Sequence, residues 1–218
     1  MAPPFRSSNS NSVRLNTSLS SRVQVSLLLQ ASIPTFRGSG GMWWSLDATS
    51  LATPTAFQSN PSLVWQFYHH RRVKALEASL NLAHRLLAKL PISTFLETIA
   101  PTAKSYHLIT QNVDRLSVRT LDELTDSAST NSTLKPNEKP RMDSIIQMHG
   151  KLFDVKCTQC DYTKEDLSNP LCLALGAAES HFETFHDVAG LEGKNIDIAI
   201  SELPTCPQCR ALARPGVV

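Results

Sequence analysis

The spacing of apolar residues predicts two helices in the first half of the chain. Asn60 followed by Pro61 is a typical helix start, because Asn caps free backbone N–H groups and Pro suits the first turn. Apolar side chains then recur on one helical stripe, at Val64, Phe67 and Tyr68. This pattern predicts a helix over about 61–78, and a second helix over about 82–90 that ends at Pro91.

Two apolar runs further along the chain predict strands that each deliver polar residues. The first run, 106–110, is followed by Gln111, Asn112 and Asp114, and the second, 145–148, by His149 and Gly150. Because helices alternate with these strands, we expect an α/β fold with a parallel, Rossmann-like sheet. Ligands bind such sheets at the carboxyl ends of the strands, so these polar residues are candidate site residues. A single histidine is more often structural than catalytic, but the position of His149 beside the cluster favours a functional role.

Two C-x-x-C pairs in the second half predict a metal module: Cys157, Cys160, Cys206 and Cys209. Four thiolates suit a tetrahedral structural Zn²⁺ with no open coordination position, although two pairs without a metal are the alternative. Residues 152–157 are expected to form a strand into the first pair. The long separation of the pairs predicts an insertion around 180–195, and 125–141, rich in Ser, Thr, Asn, Pro and Lys, is interpreted as a flexible insertion. Cys172 is interpreted as a small buried apolar residue.

Composition narrows the class of protein. The chain has 218 residues, of which 41% are hydrophobic, which is room for one packed domain or one domain with a small module. The formal net charge of +2 implies no bulk attraction to nucleic acid or to a membrane surface. No apolar run approaches the length of a membrane span. The paired cysteines favour a reducing compartment over a secreted disulfide framework.

Two weaker signals remain open on spacing alone. Residues 31–44 form a glycine-containing loop in which Phe36 could stack on a flat ring and Arg37 could reach a phosphate, but the loop alone is typical of any surface loop. Tyr68 and Arg71, one helical turn apart, could bind a carboxylate. Spacing alone favours the simpler reading, an amphipathic helix whose Arg71 and its neighbour Arg72 are solvated.

Taken together, the motifs resemble those of the sirtuins, the NAD-dependent protein-lysine deacylases. The shared segments are 33–38 (Ile-Pro-Thr-Phe-Arg-Gly), 110–114 (Thr-Gln-Asn-Val-Asp), 149–150 (His-Gly) and the two C-x-x-C pairs, in that order. The resemblance extends from about Ala31 to the end of the sequence. It implies transfer of an acyl group from a protein lysine, with nicotinamide and O-acyl-ADP-ribose as products, and therefore a transferase.

The resemblance also implies a role for individual residues. The cofactor-binding residues would be Ile33, Phe36, Arg37, Gln111, Asn112 and Asp114, with Ile33 and Asp114 at the nicotinamide amide. Asn112 and His149 would be the catalytic residues, His149 as the general base that takes a proton from a ribose hydroxyl. The four paired cysteines would bind zinc.

One helix resembles a particular branch of this family. Residues 65–72 (Trp-Gln-Phe-Tyr-His-His-Arg-Arg) are similar to a segment of the sirtuins that remove succinyl, malonyl and glutaryl groups. In that branch a Tyr and an Arg three residues later bind the acyl carboxylate, and Tyr68 and Arg71 occupy those positions here. The resemblance therefore implies a preference for acidic acyl groups, with acetyl as a further candidate.

The sequence also departs from the family pattern at both ends. Residues 25–32 (Val-Ser-Leu-Leu-Leu-Gln-Ala-Ser) stand where sirtuins carry a Gly-Ala-Gly-x-Ser phosphate loop, and 214–218 end the sequence before the strand that pairs with substrate. We therefore expect a truncated sirtuin with an incomplete sheet. The alternative function is a catalytically inactive, zinc-containing binding module.

These signals predict the following organisation. Residues 1–30 are a mitochondrial targeting segment or a disordered tail, because they are rich in Ser, Asn and Arg and lack acidic residues. Residues 31–150 form a partial NAD-binding domain with a helical insertion at 53–90, and 151–214 form the zinc-binding module. The expected location is mitochondrial, with cytoplasm or nucleus as alternatives. The expected partners are acylated lysine side chains of proteins, with no nucleic acid and no membrane.

Overall fold

The computed structural model describes residues 48–130, 139–186 and 196–217. Its helices are α1 (Ala48–Leu51), α2 (Pro54–Ser59), α3 (Pro61–Glu77), α4 (Leu82–Lys89), α5 (Ser93–Ile99), α6 (Leu116–Thr130) and α7 (Leu173–His186). Its strands are β1 (Leu108–Thr110), β2 (Ile145–Gln147), β3 (Asp154–Cys157), β4 (Thr163–Glu165) and β5 (Ala213–Pro215). Two short 3-10 helices span Met142–Ser144 and Ile200–Glu202.

The strands form two sheets with different pairing. β1 and β2 are parallel, with Leu108 opposite Ile145 and Thr110 opposite Gln147. β3 lies between β4 and β5 and is antiparallel to both. The parallel pair confirms the predicted α/β class, and the antiparallel sheet carries the first cysteine pair at the end of β3.

Helix α3 is the central element of the core. Asn60 Oδ1 accepts a hydrogen bond from the Leu63 backbone N–H (2.8 Å), which confirms the predicted N-cap. The helix buries residues on most of its surface, as expected of a helix enclosed by other elements and not lying on a surface. Its apolar side chains join one hydrophobic cluster with residues of β3, α7 and β5. The first half of the chain therefore shares a core with the described residues from Lys151 to Val217, here called the cysteine-bearing segment.

Polar contacts also attach α3 to the second half of the chain. Trp65 Nε1 donates to the Ala213 carbonyl (2.9 Å), and Gln66 Nε2 donates to the Ile196 carbonyl (2.7 Å). His69 Nε2 lies 3.1 Å from Glu179 Oε2 in α7, and the neighbouring His70 imidazole lies 3.7 Å from the other carboxylate oxygen. Because the partners are far apart in sequence, these contacts fix the orientation of α3 against the antiparallel sheet and α7.

Several predictions need correction. The predicted insertion 125–141 begins inside α6, which continues to Thr130, while 131–138 lie outside the described residues. The reason is that Thr125 and Ser127 donate their hydroxyls to carbonyls one turn back, so their polar side chains are satisfied within the helix. Likewise, 180–186 of the second predicted insertion belong to α7, and 187–195 lie outside the described residues.

Two further predictions about single residues are wrong. Arg72 is not solvated but is among the most buried side chains, at 1% exposure. Cys172 is only half-buried, and its thiol lies 3.3 Å from the Glu202 carbonyl as a weak hydrogen-bond donor.

Among the described residues, no helix is long and apolar enough to cross a membrane. The domain boundaries proposed above remain predictions.

Candidate active site and metal centre

The ends of β1 and β2 bring the two polar motifs to one edge of the parallel sheet. Thr110 and Gln147 are register partners, and the Met148 N–H donates to the Thr110 carbonyl (3.0 Å). Asn112 and His149 each follow these strand ends by two residues, so both lie at the same edge. Asn112 is buried with its backbone N–H on the Thr110 hydroxyl (3.0 Å), whereas His149 is exposed.

The residue after His149 explains how the chain turns toward the metal module. Gly150 has φ +82°, a backbone conformation that residues other than glycine rarely adopt. A Cβ atom there would also overlap the Gly216 carbonyl oxygen. Two residues on, the Leu152 N–H donates to the Val113 carbonyl (3.1 Å), so the segment after β2 is attached to the segment after β1.

Asp114 is buried, at 7% exposure, in the corner where the segments after β1 and β2 meet. Its Oδ1 accepts from the Leu116 N–H at the start of α6 (2.9 Å), while Oδ2 is enclosed and has no hydrogen-bond partner among the described residues. Burial raises the pKa of Asp114, and the Leu116 N–H and the charges of Arg71 and Arg119 offset only part of that effect. A buried carboxylate oxygen without a donor requires an explanation, and a donor from a bound ligand or an ordered water provides one.

Tyr68 and Arg71 approach the same corner from α3. Tyr68 is buried edge-to-face against Phe67, with ring centroids 5.0 Å apart, and the Arg71 guanidinium lies 5.5 Å from the Phe67 ring centroid. Burial raises the pKa of Tyr68 to about 12, so the phenol keeps its proton and can donate at neutral pH. The charge of Arg71 interacts with both the Tyr68 phenol and the Asp114 carboxylate, so the guanidinium lies near both groups.

The four paired cysteines come together as a candidate metal centre. All four Sγ atoms lie within 4.8 Å of one another, with Cys157 and Cys209 at 3.3 Å and Cys160 and Cys206 at 3.6 Å. Thiolates around a tetrahedral Zn²⁺ at ~2.3 Å lie about 3.8 Å apart, so the set fits this ion. Burial raises the pKa of Cys157, but the backbone N–H groups of Gln159 and Cys160 outweigh it and lower the value to about 6.

Sequence patterns predicted neither the burial of Arg72 nor the ion pair that Arg115, next to Asp114, forms with Glu165. Arg115 follows Asp114 directly, yet its partner Glu165 is 50 positions away, so no local pattern pointed to the pair. Arg72 was within the helix already singled out, but its burial depends on carbonyl groups of the distant cysteine-bearing segment. The predicted loop residues Ile33, Phe36 and Arg37 lie outside the described residues.

The architecture defines an α/β protein with a ligand corner at the end of a parallel sheet and an attached four-cysteine centre. Comparison with known proteins gives the family. The sequence profile of the Sir2 family matches residues 27–125. The NAD-dependent protein deacylase of Candida albicans is 38% identical over 90% of this chain and 62% of its own length. Mitochondrial sirtuin-5A of Xenopus laevis is 33% identical over 87% of this chain and 51% of its own length.

Solved structures agree with the sequence comparisons. The crystal structure of a Sir2 homolog–NAD complex superposes with a TM-score of 0.55 at 27% identity, over 94% of this chain and 62% of that one. The chain belongs to the Sir2 family, the sirtuins, as its motifs indicated. It spans between half and two thirds of the length of the two relatives described here.

Proposed function

We propose that this chain acts in NAD-dependent removal of acyl groups from protein lysines, with a preference for succinyl, malonyl and glutaryl groups. The observation that carries the proposal is the enclosed Asp114 Oδ2, which has no donor among the described residues and lies in the corner shared with Asn112 and His149. The carboxamide N–H of a nicotinamide ring is a suitable donor for this oxygen. A related solved structure, a Sir2 homolog–NAD complex, supports this ligand.

NAD would be held by Gln111, Asn112 and Asp114, together with Ile33, Phe36 and Arg37 from the segment outside the described residues. When bound, NAD would supply the ribose that accepts the acyl group as an ester. On the protein side, Asp114 orients the carboxamide, and the buried Asn112 offers an amide for hydrogen bonds to a ribose or to an ordered water. These roles follow the family resemblance and the position of each residue at the carboxyl ends of the strands.

His149 is the proposed general base. Imidazole is the side chain whose charge changes near neutral pH, so it can accept and release a proton under cellular conditions. The residue is exposed at the sheet edge, where a bound substrate can reach it.

Tyr68 and Arg71 are proposed to bind the terminal carboxylate of the acyl group. The protonated phenol and the guanidinium both donate, and a hydrogen bond to a charged partner contributes ~1.5–3 kcal/mol. An acetyl group lacks this carboxylate and gains none of that energy. Acyl-group selectivity should therefore depend on Arg71 much more than overall activity does.

Zinc at the four cysteines is proposed to have a structural role. The thiolates complete its coordination, so it supplies no chemistry and instead joins the ends of β3 to the segment before β5. The names of the relatives favour an enzyme over the alternative of an inactive binding module, and the mitochondrial sirtuin-5 relatives support a mitochondrial location.

The test measures nicotinamide release from NAD with succinyl-, malonyl- and acetyl-lysine peptides of one sequence. Arg71→Met should lower kcat/KM for the succinyl peptide by roughly 10- to 100-fold, the equivalent of one charge-assisted hydrogen bond, and change the acetyl value less than about threefold. Lys74→Met, which removes a surface cation of the same helix, is the matched control. Equal or greater wild-type activity on acetyl-lysine would contradict the proposed carboxylate site.

A further inference from the structure

Arg115 combines two unusual features directly beside Asp114. Its backbone has φ +67°, in the left-handed region that favours glycine, although it is not glycine. A conformation of this kind is retained only where surrounding contacts determine it. The turn lies between the end of β1 and the start of α6, so it sets the direction in which the Asp114 carboxylate points.

The side chain of Arg115 provides those contacts. Its Nε lies 2.8 Å from Glu165 Oε1 and its Nη2 lies 3.1 Å from Glu165 Oε2, which is a bidentate pair. Nη2 also lies 3.0 Å from Asp122 Oδ2, two turns along α6. The two carboxylates belong to different parts of the fold. Asp122 lies in α6, the helix that follows Arg115, whereas Glu165 lies in β4, which pairs with β3, the strand that ends at Cys157.

Asp114 is therefore enclosed between two attachments to the cysteine-bearing segment. On one side, the Val113 carbonyl accepts from the Leu152 N–H (3.1 Å), and on the other, Arg115 is paired with Glu165. Between these two contacts, Asp114 Oδ1 accepts a hydrogen bond from the Leu116 N–H, and Asp114 Oδ2 remains available to a ligand. A small rotation of the turn would bring Oδ2 out of the corner or give it another donor.

We propose that Arg115 is a positioning residue, whose bidentate pair with Glu165 holds the left-handed turn and so fixes the Asp114 carboxylate for the carboxamide of a bound nicotinamide ring. The inference rests on the proposed function and deepens it. Through the ion pair between Arg115 and Glu165, the position of β4 in the antiparallel sheet would affect the orientation of the Asp114 carboxylate. A purely local role for Arg115 would instead depend on Asp122, because that contact stays within the start of α6.

Three variants separate these roles. Glu165→Gln keeps the shape of the side chain but removes the charge on β4. Asp122→Asn is the matched control, since it makes the same change on the other carboxylate. Arg115→Gly removes the ion pair but keeps the left-handed backbone accessible, so it tests whether the side chain is still needed when that backbone carries no strain.

Two readouts are measured on the zinc-loaded chain. Calorimetry gives the Kd of NAD and, separately, the Kd of a succinyl-lysine peptide. Hydrogen exchange of the Leu116 amide reports the bond to Asp114 Oδ1 without any ligand. We expect Glu165→Gln and Arg115→Gly to weaken NAD binding about three- to fivefold, the upper range for a solvent-exposed ion pair, and to speed Leu116 exchange by a similar factor. Peptide affinity and the Asp122→Asn variant should change less than about twofold.

The outcomes distinguish the inference from the proposed function. Wild-type protein that binds no NAD overturns both. Wild-type protein that binds NAD, with Glu165→Gln indistinguishable from Asp122→Asn, overturns only the positioning role of Arg115. The same conclusion follows if Arg115→Gly binds NAD as tightly as the wild type, because the side chain would then be dispensable.

Discussion

Replacing Arg72 by Met tests whether one buried cation joins α3 to the cysteine-bearing segment. The Arg72 guanidinium donates to the carbonyls of Asp166 (2.6 Å), Ser168 (3.2 Å) and Leu152 (3.4 Å) and lies 4.9 Å from the Phe153 ring centroid. Burial lowers the pKa of Arg72 to about 10, and the charge of Asp166 offsets part of that effect. The group is therefore protonated at pH 7 and keeps all its donors.

The magnitude follows from the contacts. Hydrogen bonds from a charged donor contribute ~1.5–3 kcal/mol each, so the two shorter ones amount to about 3–6 kcal/mol. Removing the cation also removes the unfavourable free energy of burying it, which offsets part of this sum. Met has a similar chain length and leaves little cavity. We expect Arg72→Met to lower the free energy of unfolding by about 3 kcal/mol, which for a chain of this size corresponds to roughly 6–12 °C in Tm.

The assay is urea unfolding of the zinc-loaded protein at pH 7, followed by circular dichroism. Arg72→Lys should give an intermediate loss, because an ammonium group retains the charge but not the planar fork that reaches three carbonyls. Lys74→Met, on the exposed side of the same helix, should change stability by less than about 0.5 kcal/mol. A loss below about 1 kcal/mol for Arg72→Met would refute the assigned role of these contacts.

Three further predictions concern pH, metal and backbone. Burial raises the pKa of Glu179, but its partners His69 and His70 outweigh this effect and lower the pKa from 4.5 to about 2. The carboxylate therefore stabilises the fold fully above about pH 4.5, and this stabilisation is lost as the pH falls toward about 2. Glu179→Gln should reduce the dependence of the free energy of unfolding on pH in this range, as measured by acid unfolding. Cys206→Ser should lose zinc in a colorimetric release assay, whereas Cys172→Ser should retain it. Gly150→Ala should destabilise by about 2 kcal/mol or more in thermal unfolding, because the added methyl meets the Gly216 carbonyl in a strained conformation.

Sequence patterns predicted the elements that depend on near neighbours. The start of α3 follows from Asn60 and Pro61, whose capping requires only the next three residues. The strand that ends at Thr110 follows from a short apolar run before polar residues, although it begins at Leu108 and not at residue 106. The second helix likewise ends at Lys89, within one residue of the predicted end. The two cysteine pairs were recognised as one centre because C-x-x-C spacing is itself the geometric requirement of a metal knuckle.

The error at 125–141 shows the limit of composition as a guide. Ser and Thr are typical of loops because their hydroxyls compete with backbone hydrogen bonds. In α6 the Thr125 and Ser127 hydroxyls bond to carbonyls of their own helix, so that competition is absent. Composition cannot distinguish these two outcomes, because both use the same residues.

By itself, the sequence determined the family, the four cysteines and the identity of the polar residues at the strand ends. The tertiary structure alone decided how these parts act on one another. It separated the adjacent Arg71 and Arg72 into a half-buried group beside Asp114 and a buried link to the Asp166 segment, and it paired Arg115 with Glu165. The physical reason is that the pKa, burial and hydrogen-bond partners of a charged side chain depend on groups that are distant in sequence, whereas caps, strands and metal knuckles depend on near neighbours.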